Sequence, residues 1–335
     1  MGLLKNGKWH TDWYDTASTD GEFVREAAPF RDWITADGTA APDGARAFPA
    51  ASRRYHLYVS YACPWAHRTL ILRHLKGLEA HVGLSVTDPE MLERGWTFSG
   101  NFELNRDPLH GARHLYELYQ RARPDHTGRV TVPVLWDVER DTIVSNESAD
   151  IIRMFNSAFD GLTGNRLDFY PRAHRATIDA LNDYIYENIN NGVYRCGFAT
   201  TQAAYEKAFE RLFAALDDIE ARLAAQRYLV GDRLTEADWR LFTTLVRFDA
   251  VYVGHFKCNR QRIADFPNLS NYLRELYQLP GVAQTVHFDH IKRHYYYSHH
   301  MINPTRIVAC GPRLTLEAAH DRDRFGAPAP LTRCD

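Results

Sequence analysis

The run YHLYVSYACPWAHRTLILRHLKGLE, from Tyr55 to Glu79, constrains the fold of this chain more than any other stretch. Its first seven residues are aromatic or β-branched at most positions, the composition of a strand. Leu70, Ile71, Leu75 and Leu78 then recur near helical spacing, with Gly77 close to the end. Between them stands Cys63-Pro64. A strand that turns directly into a helix returns the chain to the same face, so a parallel partner strand is expected next. HVGLSVT, from His81 to Thr87, supplies one.

Further along, VTVPVLWD and TIVSN read as a third and a fourth strand joined by the polar VERD, and ESADIIRMF opens another helix. The order is β-α-β, a long insertion, then β-β-α, which is the thioredoxin-like order. Pro133 lies inside the third of these runs, where proline normally argues against a central strand. In this fold a cis proline at that place leaves the preceding backbone amide open to a bound thiol peptide.

From about residue 165 the pattern turns helical. YEKAFERLFAALDDIEARL places Tyr205, Phe209, Leu212, Leu216, Ile219 and Leu223 at alternating spacings of four and three, one apolar face. Thr235 with Asp238 three residues later is a capping box with Asp for Glu, and Leu234 is placed as its staple. The fold class is therefore an α/β thioredoxin-like domain followed by an all-α domain. We expect residues 1–50 as an irregular extension anchored by aromatics, 51–160 as the thioredoxin-like domain, and 165–335 as the helical domain with an extended tail.

The chain has 335 residues, 45% of them hydrophobic, and a net charge of -2. No basic surplus points to nucleic acid, and no stretch has the 18 or so apolar residues of a membrane span. The N-terminus lacks the apolar core of a signal peptide. Cys63, Cys196, Cys258, Cys310 and Cys334 are widely spaced and odd in number, which argues against a secreted disulfide framework and for a reducing, cytoplasmic setting.

At the first turn of a helix, the unpaired N–H groups and the positive dipole end favour a thiolate at Cys63. Pro64 sits where its missing N–H costs nothing, and His67 and Arg68 add positive potential. Three residues after Cys63, where a dithiol protein carries its second cysteine, stands Ala66. Such a thiol can attack a sulfur adduct and hold the released group as a mixed disulfide, but an external thiol must regenerate it. In the cytosol that thiol is glutathione. The backbone of Val132 beside Pro133 can pair with its cysteinyl amide. Ser148 and the helix start can take the γ-glutamyl carboxylate and Glu147 its ammonium, while Arg129 or a neighbour holds the glycyl carboxylate.

The motifs YACPWAHRTL, GWTFS, VTVPVLWD, NESADIIRMFN, NNGVYRCGFA, VRFDAVYVGHFKCN, DHIKRHYYYSH and INPTRIV resemble those of the glutathionyl-hydroquinone reductases, the Xi class of glutathione transferases. The resemblance covers nearly the whole chain and implies the glutathione transferase fold. It implies that Cys63 removes glutathione from a glutathionyl-hydroquinone, and that a second glutathione then frees Cys63 as oxidised glutathione. Trp96 is implied to pack over glutathione, with Val130 also at that site. Tyr194, Tyr295 and Tyr296 are implied to contact the hydroquinone oxygens, where phenolic donors favour the keto tautomer. The resemblance further implies a homodimer formed largely by the helical domains, and no cofactor beyond glutathione as co-substrate. Two departures stand out: Tyr295, Tyr296 and Tyr297 are consecutive, and Ala309-Cys310 replaces an expected proline and small residue.

His287, His290, His294, His299 and His300 cluster late in the chain, with His290 and His294 at the i, i+4 spacing of metal ligands. No HExxH or cysteine pair accompanies them, so no metal is expected. Two other readings compete with the reductase. One is a general glutathione-dependent thiol transferase or dehydroascorbate reductase, which needs no tyrosine cluster. The other is a non-catalytic binding module, which needs no Cys-Pro-Trp-Ala turn.

Overall fold

The computed structural model describes residues 2–42 and 44–332; Cys334 lies outside them. The chain divides into two compact units. The first takes in Met1–Trp13, Glu26–Arg166 and Asp289–His294, and the second Tyr14–Arg25, Leu167–Phe288 and Tyr295–Asp335.

The extension is not irregular throughout. Strands β1 (Leu3–Lys5) and β2 (Lys8–His10) form an antiparallel hairpin in the first unit. Asn6 and Gly7 join them, both with positive φ, 48° and 70°. Asn-Gly adopts that conformation readily, and its twist matches the two strands. Strands β3 (Trp33–Thr35) and β4 (Ala47–Pro49) pair in parallel.

The central sheet follows the expected order. It contains β5 (Tyr55–Val59), then α1 (Pro64–Leu75) and β6 (Val82–Val86). After α2 (Leu115–Ala122) and the short β7 (Gly128–Arg129), which pairs with β1, come β8 (Val134–Asp137) and β9 (Thr142–Ser145). The strands lie in the order β6-β5-β8-β9. β5 and β6 are parallel, and β8 is antiparallel to both β5 and β9. The Val132–Pro133 bond is cis, and the ladder begins only at Val134. Proline has no N–H to give a ladder, so VTVPVLWD is a strand only in its second half. Every residue of β5 is buried, as are Leu135, Trp136, Ile143 and Val144. α3 (Ser148–Ser157) packs on α1 and is followed by the single turn α4 (Asp160–Thr163).

The second unit is helical. α5 (Arg175–Ile185) runs into a π-helical turn, Tyr186–Asn190, followed by α6 (Gly192–Phe198) and the long α7 (Gln202–Ala225). α8 (Glu236–Arg247) runs into a second π-helical turn, Phe248–Tyr252, which leads to α9 (Val253–His255). α10 (Pro267–Gln278) and α11 (Phe288–Ser298) complete the set. Within α11, Asp289–His294 group with the first unit, and Phe288 and the residues from Tyr295 on with the second.

Two local expectations met different outcomes. The capping box at α8 is formed, with Thr235 and Asp238 as its two partners, and the Thr235 amide donates to Asp238 Oδ2 at 2.7 Å. The buried face of α7 is shifted at its start, where Ala204 and Ala208 are buried while Tyr205 and Phe209 lie at the edge. Small residues let the first turns of α7 approach α6 closely. The Tyr205 hydroxyl reaches out to the Lys257 carbonyl instead.

Candidate active site

Cys63 is the N-cap of α1, with extended backbone (φ -76°, ψ 122°) and Pro64 at the first helical position. Its sulfur accepts from the Ala66 amide at 3.5 Å, and its S–H is placed to donate to the Val132 carbonyl at 3.6 Å. The side chain is 7% exposed. Helix-terminal N–H groups directed at sulfur stabilise negative charge on it. The same residue therefore sits against both the start of α1 and the cis Val132–Pro133 bond. Val130 and Val132, which precede Pro133, are buried.

From α1 the contacts pass to α3. The Arg68 guanidinium stacks 4.6 Å from the Trp65 ring and donates to Ser148 Oγ at 3.4 Å. Glu147, rather than Ser148, caps α3: its Oε1 accepts from the Ala149 amide at 2.9 Å, and Ser148 is the first helical residue. Arg129 donates to the carbonyls of Asp12 (2.6 Å) and Trp13 (2.9 Å) and to Glu26. Its guanidinium thus fastens the N-terminal segment of this unit to β7.

Trp96 is buried and stacks on His294, with ring centroids 4.9 Å apart. His294 Nδ1 contacts the Pro89 carbonyl at 3.0 Å, and Arg293 pairs with Glu90. His290 lies edge-on to Tyr61 and Phe102. The histidines at i, i+4 spacing are thus packed among aromatic rings. Among the described residues no group of three or more His, Cys, Asp or Glu has the arrangement of a metal site.

In the helical unit, Tyr194 on α6 and Tyr295 on α11 share a hydrogen bond of 2.6 Å between their hydroxyls. Tyr252, which the sequence reading did not single out, extends this chain at 3.0 Å from the Tyr295 hydroxyl. Burial pushes both Tyr252 and Tyr295 well above the ordinary phenol range, so both hydroxyls keep their protons. Tyr296 is half-buried and edge-on to the His255 ring, and among the described residues the hydrogen bonds that link Tyr194, Tyr295 and Tyr252 do not include it. Tyr297 lies beneath the Arg306 guanidinium. Phe23 and Arg25 of the N-terminal segment also reach Tyr194: the Arg25 guanidinium stands 4.8 Å over its ring and donates to Asn191. A cavity of about 250 Å³ beside Arg25 is lined by Arg195, Lys207 and Arg211, but not by Tyr194 or Tyr295. Its Lys207 and Arg195 are paired with Glu22 and Glu187. Among the described residues no disulfide joins Cys63, Cys196, Cys258 or Cys310, of which only Cys310 is exposed.

Known proteins match this chain along nearly its whole length. Residues 62–158 match the model of the glutathione S-transferase N-terminal domain, and residues 202–275 that of its C-terminal domain. The chain is 56% identical over 328 residues to glutathionyl-hydroquinone reductase YqjG of Escherichia coli, covering 97% of this chain and all of that protein. It is 52% identical to glutathionyl-hydroquinone reductase PcpF of Sphingobium chlorophenolicum, covering 93% of this chain and 96% of that one. The glutathione-bound structure of YqjG superposes with a TM-score of 0.89 at 53% identity, over 96% of this chain and 99% of that one. The Xi-class glutathione transferase of Natrialba magadii does so with 0.88 at 52% identity, over 97% of each.

Proposed function

This chain belongs to the glutathionyl-hydroquinone reductases, the Xi class of the glutathione S-transferase family, and we propose that it removes glutathione from S-glutathionyl-hydroquinones by way of Cys63. The Cys63 thiolate attacks the glutathione sulfur. The carbon–sulfur bond to the ring breaks, the ring carbon takes a proton, and the hydroquinone leaves. The ring is reduced, and the two sulfurs are oxidised to the Cys63–glutathione disulfide. The thiolate of a second glutathione then attacks that disulfide, giving oxidised glutathione and the Cys63 thiolate again.

The position of Cys63 carries this reading. It is a cysteine at a helix start, with Ala66 where a resolving cysteine would stand, and its sulfur meets the Val132 carbonyl. In the proposed complex the Val132 backbone, next to Pro133 and Val130, pairs with the cysteinyl part of glutathione. Glu147 and Ser148 take its γ-glutamyl end, and Trp96 packs over it. Arg129 is assigned a supporting part, because reaching the glycyl carboxylate would mean releasing the Asp12 and Trp13 carbonyls. Tyr194, Tyr295 and Tyr296 are assigned to the hydroquinone oxygens, with Tyr194 and Tyr295 already hydrogen-bonded to each other. Their donors favour the keto tautomer, whose carbon–sulfur bond is the more easily broken. The same reading implies a homodimer in a glutathione-rich cytoplasm, with glutathione as co-substrate.

The test is a comparison of rates with glutathione present. A glutathionyl-hydroquinone should yield one hydroquinone and one oxidised glutathione per turnover, far faster than dehydroascorbate is reduced. Faster turnover of dehydroascorbate would overturn the assignment and favour a general thiol transferase.

A further inference from the structure

The second unit contains a charged cavity that none of the residues assigned to glutathione or to the hydroquinone lines. It measures about 250 Å³, and every residue in its walls belongs to that unit. The charged walls are Arg25, Arg195, Lys207 and Arg211 against Glu22 and Glu187, four cations to two carboxylates. Lys207 pairs with Glu22 at 2.7 Å, and Arg195 with Glu187 at 2.8 Å. Arg211 reaches the same Glu187 oxygen at 3.7 Å and donates to Asn188 Oδ1 at 3.2 Å. The bond from Lys207 holds the Glu22 carboxyl below the ordinary carboxylate range, and Arg195 and Arg211 add to that pull. The cations therefore act on one shared space.

The walls say what such a cavity takes. Their surplus of two positive charges matches a dianion, whose oxygens would gain charge-assisted hydrogen bonds from the guanidinium and ammonium groups. The cations divide between the two carboxylates, Lys207 with Glu22 and the two arginines with Glu187, which suits two separate anionic groups rather than one. The volume exceeds what a bare inorganic anion fills and approaches the small end of ligand pockets, about 300 Å³. Val24 and Tyr186 in the walls are large apolar side chains left 58% and 40% exposed, and Phe23 adds a second ring. Exposed apolar surface beside convergent polar groups suits an organic body. The π-helical turn Tyr186–Asn190 supplies Tyr186, Glu187 and Asn188 together, and such wider turns recur at functional sites. Across from it Ala204 and Ala208, small side chains of α7, leave the space open.

We propose that this cavity is a binding site for a small organic dicarboxylate, which joins the segment Glu22–Arg25 to the π-helical turn and α7. One carboxylate meets Lys207 and the other Arg195 and Arg211, while the apolar body lies against Val24 and Tyr186. Glu22 competes with the ligand for Lys207, so the ion pair seen here is the resting arrangement of the site. The proposal does not depend on the reaction assigned to Cys63.

The experiment is calorimetric titration of the full chain with three probes. Isophthalate carries two carboxylates on a ring, benzoate one carboxylate on the same ring, and sulfate two charges without a ring. Isophthalate should bind at a single site, about tenfold or more tighter than either of the others. Lys207→Gln and Arg211→Gln should each weaken it by about five- to tenfold. Glu22→Gln removes the competitor for Lys207 and should tighten it by about two- to fivefold. Opposite signs at the two ends of one ion pair would not arise from binding elsewhere on the protein. Isophthalate should also raise the Tm of the parent chain more than that of Arg211→Gln. No binding of isophthalate, or binding no tighter than that of benzoate or sulfate, would overturn the proposal. So would an affinity unchanged in Lys207→Gln and Arg211→Gln, or weakened in Glu22→Gln. Should Lys207→Gln not fold, Arg211→Gln and Glu22→Gln still give the two opposite shifts.

Discussion

The sulfur of Cys63 lies 3.6 Å from the carbonyl oxygen of Val132, so the cap of α1 and the residue before Pro133 meet at one atom. Replacing Cys63 by Ala should leave no more than trace release of hydroquinone. Replacing Cys196, Cys258, Cys310 and Cys334 together should leave the reaction running at a similar rate in folded protein. Release of hydroquinone by Cys63→Ala would show that another group attacks the glutathione sulfur. Complete loss in the folded quadruple variant would reveal a second thiol that resolves the intermediate.

Tyr194→Phe and Tyr295→Phe each remove a hydroxyl from a buried pair 2.6 Å apart and keep the ring. If that pair stabilises charge developing on the hydroquinone, each change should lower kcat/KM by roughly ten- to a hundredfold, about 1.5–3 kcal/mol. Reduction of a small mixed disulfide needs Cys63 alone and should barely change. Parallel rate measurements on both substrates decide the matter, and equal losses would reduce the tyrosines to packing.

His294 stacks on Trp96, with its Nδ1 against the Pro89 carbonyl. His294→Leu keeps an apolar neighbour but loses the flat ring and the hydrogen bond that orients it. An aromatic pair contributes about 0.5–1.5 kcal/mol beyond its buried area. If Trp96 covers glutathione, calorimetric titration should show glutathione bound about two- to tenfold more weakly. Unchanged affinity would mean that Trp96 keeps its place without His294.

Asp238 accepts hydrogen bonds from the amides of Leu229 and Thr235 and from the hydroxyls of Thr235 and Tyr272. Asp238→Asn leaves one accepting oxygen and should cost about 2–4 kcal/mol in urea unfolding. Burial pushes the Asp238 carboxyl up to about 6, against the pull of those donors. The folded protein then holds this proton more tightly than the unfolded chain. Its contribution is fully present below the ordinary carboxylate value and is lost as pH rises from about 4 to about 6. The Asn variant should lack that downward slope, and a slope identical to that of the parent would contradict it.

His56 predicts the opposite sign. Its ring lies across from Gly83 on β6, where an added Cβ would fall 2.3 Å from Nδ1, and its Nε2 meets Ser85 Oγ at 2.8 Å. Burial pushes this imidazole down to about 4. The unfolded chain takes the proton first, so this group weakens the fold as pH falls from about 6.5 to about 4. In His56→Gln the acid limb of stability should be flatter across that window. Gly83→Ala should destabilise at every pH by displacing the ring, as thermal melts would show.

What the sequence determined by itself was local. The strand-to-helix turn at Cys63, the proline after Val132 and the box between Thr235 and Asp238 all rest on residues a few positions apart. Their backbone hydrogen bonds and steric limits are satisfied within the segment. The Asn6-Gly7 turn was written there too, in a short hairpin that polar composition concealed. Only the tertiary structure decided which residues meet across the chain. The sequence has no periodicity that brings Tyr252 to Tyr295, lays Arg25 over Tyr194, stacks His294 on Trp96 or turns Ala204 and Ala208 inward in place of Tyr205 and Phe209. Those contacts are fixed by close packing, where each ring takes the space its neighbours leave, and by long loop closures that local preference does not encode.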